Sequence, residues 1–143
     1  MSLDFAPAIY AAITGDATIT GLLSEYNTNP AVFTRRPIPA DAVYPYILIN
    51  PDASVTDLDS LNSDRPVIIR DIAVYGQQPD DYRSIEQVGY LLRDLFHRNR
   101  FSLTNADYNI VLITASGPNV APVDDDHTVG RMVSLRIQLE NVS

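Results

Sequence analysis

Residues 44–76 read YPYILINPDASVTDLDSLNSDRPVIIRDIAVYG. Two apolar runs, YPYILIN and PVIIRDIAVYG, have the length and β-branched content of sheet strands. The acidic stretch between them, PDASVTDLDSLNSDR, has no apolar period of its own and reads as a long loop. Most hairpin connections are far shorter, about two to five residues, and longer ones usually carry function or disorder. The fold therefore turns on whether Tyr46–Asn50 and Pro66–Tyr75 are neighbouring strands, and the function on what the acidic connection contacts.

The remaining elements follow from periodicity. Asp4 caps a first helix running to about Thr14, with Phe5, Ile9, Ala12 and Ile13 on one face and Gly15 as its stop. Asp16 caps a second, in which Ile19, Leu22, Leu23 and Tyr26 fall at helical spacing. Ala31–Arg35 is extended and leads into RPIPADAVYP, whose prolines forbid helix and suit a loop or sheet edge. After Gly76, Pro79, Asp80 and Asp81 open the main helix. Its apolar stripe is Tyr82, Ile85, Val88, Leu92, Leu95 and Phe96. The aspartates at its start and Arg93, Arg98 and Arg100 toward its end suit the helix dipole. Asp107–Ala115 reads as a third strand and SGPNVAPVDDD as a loop rich in breakers. From Thr128 to Glu140 the chain alternates: Val133, Leu135, Ile137 and Leu139 on one side, Ser134, Arg136, Gln138 and Glu140 on the other. The fold class is therefore α+β, a mostly antiparallel sheet of about four strands with helices packed on one face.

Composition excludes whole classes of function. The chain of 143 residues suits one domain and carries a formal net charge of −8, with 18 acidic residues against 10 basic. That balance opposes general nucleic-acid binding, which needs cations to neutralise phosphates. All 10 basic residues are arginine, which removes a P-loop lysine, a Schiff base and a lysine general base. With no cysteine there is no disulfide, thiolate nucleophile or zinc ribbon. No run approaches the ~20 apolar residues of a membrane-spanning helix. MSLDFAPAIYAAITGD has no basic leader, so an intracellular product is expected.

The candidate chemical motifs are weak. DLDSLNSD brings Asp57, Asp59, Asn62 and Asp64 close together, yet Leu61, Asn62 and Ile68 stand where a calcium loop needs an oxygen donor, glycine and glutamate. DDDH sets Asp124, Asp125 and Asp126 beside His127, which fits a hairpin turn with solvated carboxylates better than a metal site. ASGP lacks the first glycine of a nucleophile elbow. His97 reads as a favourable charge at a helix C-terminus. No enzyme, cofactor or metal is expected. Interaction surface is what remains: the acidic connection, the proline-rich segment and the polar face of the final strand.

Taken in order, IYAAITGDATITGLL, YPYILIN, VTDLD, IAVYG, SIEQVGYLLRDLF and VLITASGPNV…DDDHTVGRMVSLRIQLE span nearly the whole chain. Their order resembles the tail-terminator (tail-completion) proteins of long-tailed bacteriophages and related gene-transfer particles. RNRFSLTNADYN, between the main helix and the third strand, is more polar than the resemblance leads one to expect. The resemblance implies a non-enzymatic virion protein, one tail-terminator-like domain over 1–143. Such proteins assemble in the host cytoplasm into a homo-oligomeric ring, typically hexameric, which caps the tail tube protein and then meets the head–tail connector protein. DNA would only pass through, and an acidic ring would let it pass without adhering. A head-completion or neck ring protein is the alternative of the same class, and a small monomeric protein-binding domain that of another. The expected contacts across a subunit boundary are Arg35 and Arg36 beside the proline-rich segment and Asp57, Leu58, Asp59, Leu61, Asp64 and Arg65 in the acidic connection, arginine being suited to interface ion pairs.

Overall fold

The computed structural model describes residues 5–35, 38–57, 65–78, 80–105, 108–123 and 127–141, and for 51–57 and 141 the backbone alone. Helix α1 spans Ala6–Thr14 and α2 Ala17–Thr20. Asp4, the expected cap of α1, lies outside the described residues, and buried Phe5 occupies the N-cap position. Asp16 caps α2 as expected, its Oδ1 accepting the Thr18 and Ile19 N–H groups at 3.0 and 3.2 Å. That helix ends at Thr20 and does not continue to Tyr26. The β-branched ATIT sequence has little intrinsic helicity, and tertiary bonds draw the following chain out. Ser24 N–H donates to the Pro45 carbonyl, and Ala31 N–H to that of Ser24, each at 3.0 Å. Two short strands, β1 (Glu25–Tyr26) and β2 (Asn29–Pro30), pair there.

The main sheet holds β3 (Val32–Phe33), β4 (Tyr46–Asp57), β5 (Pro66–Gln77), β6 (Tyr108–Val120) and β7 (Thr128–Asn141), in the order β3-β4-β5-β7-β6. Only β3–β4 is parallel; the other three pairings are antiparallel. The strands predicted around residues 44–76 are thus a direct hairpin, but the first part of the stretch read as a loop, residues 51–57, is strand. β4 runs on to Asp57, which sits opposite Pro66. A register shift between Ile49 and Ala53 lets pairing resume past Pro51 and Asp52. Arg70, buried, donates from Nε to the Asn50 carbonyl at 2.7 Å within that shifted stretch. β6 likewise continues through SGPNV, where a loop was expected, by a second shift between Ser116 and Asn119 around Gly117 and Pro118. At Gly117 φ is +108°, a conformation open to glycine, and an added Cβ would lie 2.6 Å from the Met132 carbonyl oxygen.

One face of this sheet carries the core. Ile68, Ile72 and Val74 of β5 lie there with Val133, Leu135, Ile137 and Leu139 of β7. Helix α3 (Tyr82–Phe96) covers them with Ile85, Val88, Leu92 and Phe96, as its periodicity predicts. Ile9, Ile13 and Ile19 of α1 and α2 join the same cluster. Gly89 lets α3 approach β6: a Cβ there would fall 2.7 Å from Pro118 Cβ. Tyr82, 43% exposed, lies beside the stripe, where Arg131 stacks on its ring at 5.0 Å. Arg98 and Arg100 fall beyond the helix, so of the three arginines read as matching the dipole only Arg93 stands in the last turn.

His97 departs from its expected role. It is the C-cap residue of α3, and its Nδ1 accepts the Ala115 N–H at 3.1 Å. An accepting ring nitrogen carries no proton, so the residue joins helix to strand as a hydrogen-bond acceptor. Beside it Arg98 N–H donates to the Ile113 carbonyl at 2.7 Å. Both groups bond the outer edge of β6, blunting the middle of an otherwise unpaired strand.

Candidate functional site

Three surfaces stand out, built from the strands outward. The first is the sheet face turned away from the helices. Along β5 and β7 the facing pairs are Ile69↔Arg136, Asp71↔Ser134, Ala73↔Met132 and Tyr75↔Gly130. The expected polar side of β7 is there, with Arg136 exposed. Ser134 Oγ donates to Asp71 Oδ1 at 2.6 Å, a short bond to a carboxylate. Ile69 and Leu112, 41% and 37% exposed, are apolar side chains on the same face that the sequence does not single out.

At one end of this face the rings of Tyr26, Phe33, Tyr46, Tyr44 and Tyr75 form a chain of contacts with centroids 5.1–5.7 Å apart. Burial, then the neighbouring Tyr44 and Tyr75, pushes the Tyr46 hydroxyl up to about 12. Tyr26 donates to Asp41 Oδ1 at 3.0 Å, and that bond raises its own pKa. The proline-rich segment is tied to this cluster. Ser24 Oγ donates to the Val43 and Pro45 carbonyls, and Ala42 N–H to that of Pro39. Arg35 is exposed at the start of the segment; Arg36 lies outside the described residues.

The third surface lies at the opposite end, where the β4–β5 hairpin closes. Asp57 is the last residue of β4, and Leu58, Asp59, Leu61 and Asp64 lie outside the described residues, as do Asn62 and Asp124–Asp126 of the two acidic motifs. Arg65 is placed: its Nη2 stands 3.8 Å from Glu140 Oε1, with side chains 55% and 47% exposed. Its described partner is thus on β7. Next to Glu140, on the outer flank of β6, an open groove of about 550 Å³ runs between β6 and the 3-10 turn Arg100–Ser102. Leu103 and Tyr108 form its buried floor, and Phe101, 81% exposed, and Val111, 47% exposed, stand at its rim. Arg100 stacks over the Phe101 ring at 4.9 Å. The signal in the sequence was HRNRF itself: an aromatic among cations, just past a helix end.

Among the described residues no group of three or more His, Cys, Asp or Glu side chains is placed to hold a metal ion. No protein-family model matches the chain, and neither does any curated protein sequence. Among solved structures it is similar in fold to a chain in the virion of the native gene transfer agent particle, with a TM-score of 0.78 and 16% identity. That likeness covers 98% of this chain and 100% of the other.

Proposed function

We propose that this chain is a structural protein of a phage-like virion, a ring former that caps the tail tube, ends its polymerisation and joins the tail to the head connector. One observation carries the reading: the likeness to a chain of a gene transfer agent virion runs end to end over both molecules, at 98% and 100% coverage. The order of elements that suggested the tail-terminator proteins points the same way. The role needs no catalytic group; it needs a rigid scaffold with surfaces left over for neighbours. The sheet and α3 supply the scaffold, and Phe101 and Val111, exposed side by side at the groove beyond β6, offer apolar surface to a neighbour.

In this reading Arg35, Arg36 and the segment 57–65 make subunit contacts, in a heterologous interface that closes by rotation. The net charge of −8 keeps the ring from adhering to DNA in passage. The test is sedimentation of the purified protein over a wide concentration range, with negative-stain images of the largest species. Closed rings are expected. A monomer up to the highest attainable concentration overturns the self-assembling ring and leaves a small protein-binding domain. Deleting residues 58–63 should leave a folded chain that no longer closes rings. The deletion stops short of 54–57 because those residues pair with 66–69 in the sheet.

A further inference from the structure

Helix α3 turns a second face to solvent, directly opposite its core stripe. Apart from Tyr82, the exposed residues of this helix are Arg83, Gln87, Tyr90 and Asp94, with Tyr90 55% exposed. At 3.6 residues per turn these four fall within about 60° of one another around the axis. Their order is symmetric about the midpoint between Val88 and Gly89. Arg83 stands as far before that point as Asp94 stands after it, and Gln87 as far before it as Tyr90 after it. A second α3 laid antiparallel on this face therefore sets Arg83 against Asp94 twice and Gln87 against Tyr90 twice. Isologous contacts have this self-complementary form.

The charges on this face argue for that occupant. A helix dipole favours anions at the N-terminus and cations at the C-terminus, yet Arg83 is in the first turn of α3 and Asp94 in the last. The two stand roughly 16 Å apart along the axis, too far to meet within one helix. Among the described residues neither has an ion pair. On one flank Glu86 and Arg93 repeat the pattern, offset by about 3 Å of helix rise. Each end of an antiparallel contact thus gathers Arg83 and Glu86 of one copy with Arg93 and Asp94 of the other, two charges of each sign. A parallel pairing would set like charges together. Glu86 keeps its place beside Arg131, at 3.8 Å. Between the charged ends the Tyr90 ring meets the Gln87 amide, and tyrosine, apolar with one polar tip, suits such a contact. We infer that the outer face of α3 pairs antiparallel with the same face of a second copy of this chain. An isologous pair is complete at two copies, so this contact is separate from one that closes a ring and does not rest on it.

Charge exchange tests the contact. Arg83→Asp and Asp94→Arg, each alone, set like charges across it and should weaken the monomer–dimer step at least about tenfold in sedimentation. Mixed with each other, the two single variants should form a heterodimer, because the acidic face of one then meets the basic face of the other. The chain carrying both exchanges should dimerise as the parent does. Each exchange supplies the sign the helix dipole favours, so Tm should hold or rise while dimerisation is lost. Single variants that dimerise like the parent, or a mixture as dissociated as its components, overturn the contact. Rings that close with no monomer–dimer step also overturn it and leave the ring reading standing. Dimers that never grow into rings keep the contact and overturn the ring. A chain monomeric at every concentration overturns both.

Discussion

His97 and Ala115 join the end of the main helix to the sheet: the Ala115 N–H donates to His97 Nδ1 at 3.1 Å. Sequence separation is 18, so the bond fixes where α3 stops relative to β6. Replacing His97 by Ala leaves a partly buried N–H without its acceptor, at a cost of about 1–2 kcal/mol. His97→Asn, which keeps an acceptor oxygen, should recover part of that. Urea unfolding of the two variants checks the order; equal midpoints for His97→Ala and the parent would show that the bond contributes nothing.

Gly89 sets a sharper contest between helix propensity and packing. Alanine in a helix interior gains about 1 kcal/mol over glycine. Its Cβ would lie 2.7 Å from Pro118 Cβ and 3.0 Å from Pro118 Cγ, atoms of a ring that cannot rotate away. Overpacking of that kind costs ~1–3 kcal/mol. Gly89→Ala is therefore expected to lower Tm, and a raised Tm would mean that α3 slides off β6 at little cost.

Tyr46 gives the fold an alkaline limit. Its folded-state pKa is about 12 against an ordinary 10.0. The folded chain holds this proton more tightly than the unfolded one, so the associated stability is intact below pH 10.0 and is lost as pH rises toward about 12. Tyr46→Phe should flatten that part of the stability profile. Tyrosinate absorbance in an alkaline titration should show one late-ionising group in the parent that is missing from the variant.

The Arg65–Glu140 pair separates stability from assembly. At 3.8 Å, with both side chains about half exposed, it should contribute ~0–1 kcal/mol. Arg65→Ala is expected to unfold within about 0.5 kcal/mol of the parent. If Arg65 serves a subunit boundary, the same variant loses ring closure at unchanged Tm. A large drop in Tm would make it a fold residue instead.

The sequence was legible where periodicity was long and unbroken. Ile85, Val88, Leu92 and Phe96 could belong only to a buried helix face, and the alternation from Val133 to Leu139 only to a half-covered strand. It was misleading where bulges interrupt the period. Pro51 and Asp52 hide the second half of β4, and Gly117 and Pro118 hide the end of β6, because a register shift breaks the pattern while the ladder continues. The two-residue strands β1, β2 and β3 carry too few positions to show any period. The groove was legible only as its parts: Arg100 and Phe101 are separate in sequence from Tyr108–Val111, and only the fold lays them side by side.

One feature of the sheet bears on how the molecule is made. β7 lies between β5 and β6, yet a ribosome delivers it after both. Until Thr128–Asn141 emerges, the nascent chain holds a β4–β5 hairpin with one raw side and a β6 that has the end of α3 beside it but not its partner strand. The layer over α3 can close only once that segment inserts, so the non-local pairings of β5 and β6 wait for its synthesis. The groove between β6 and the turn Arg100–Ser102 thus acquires its Glu140 wall only after β7 has paired with β6.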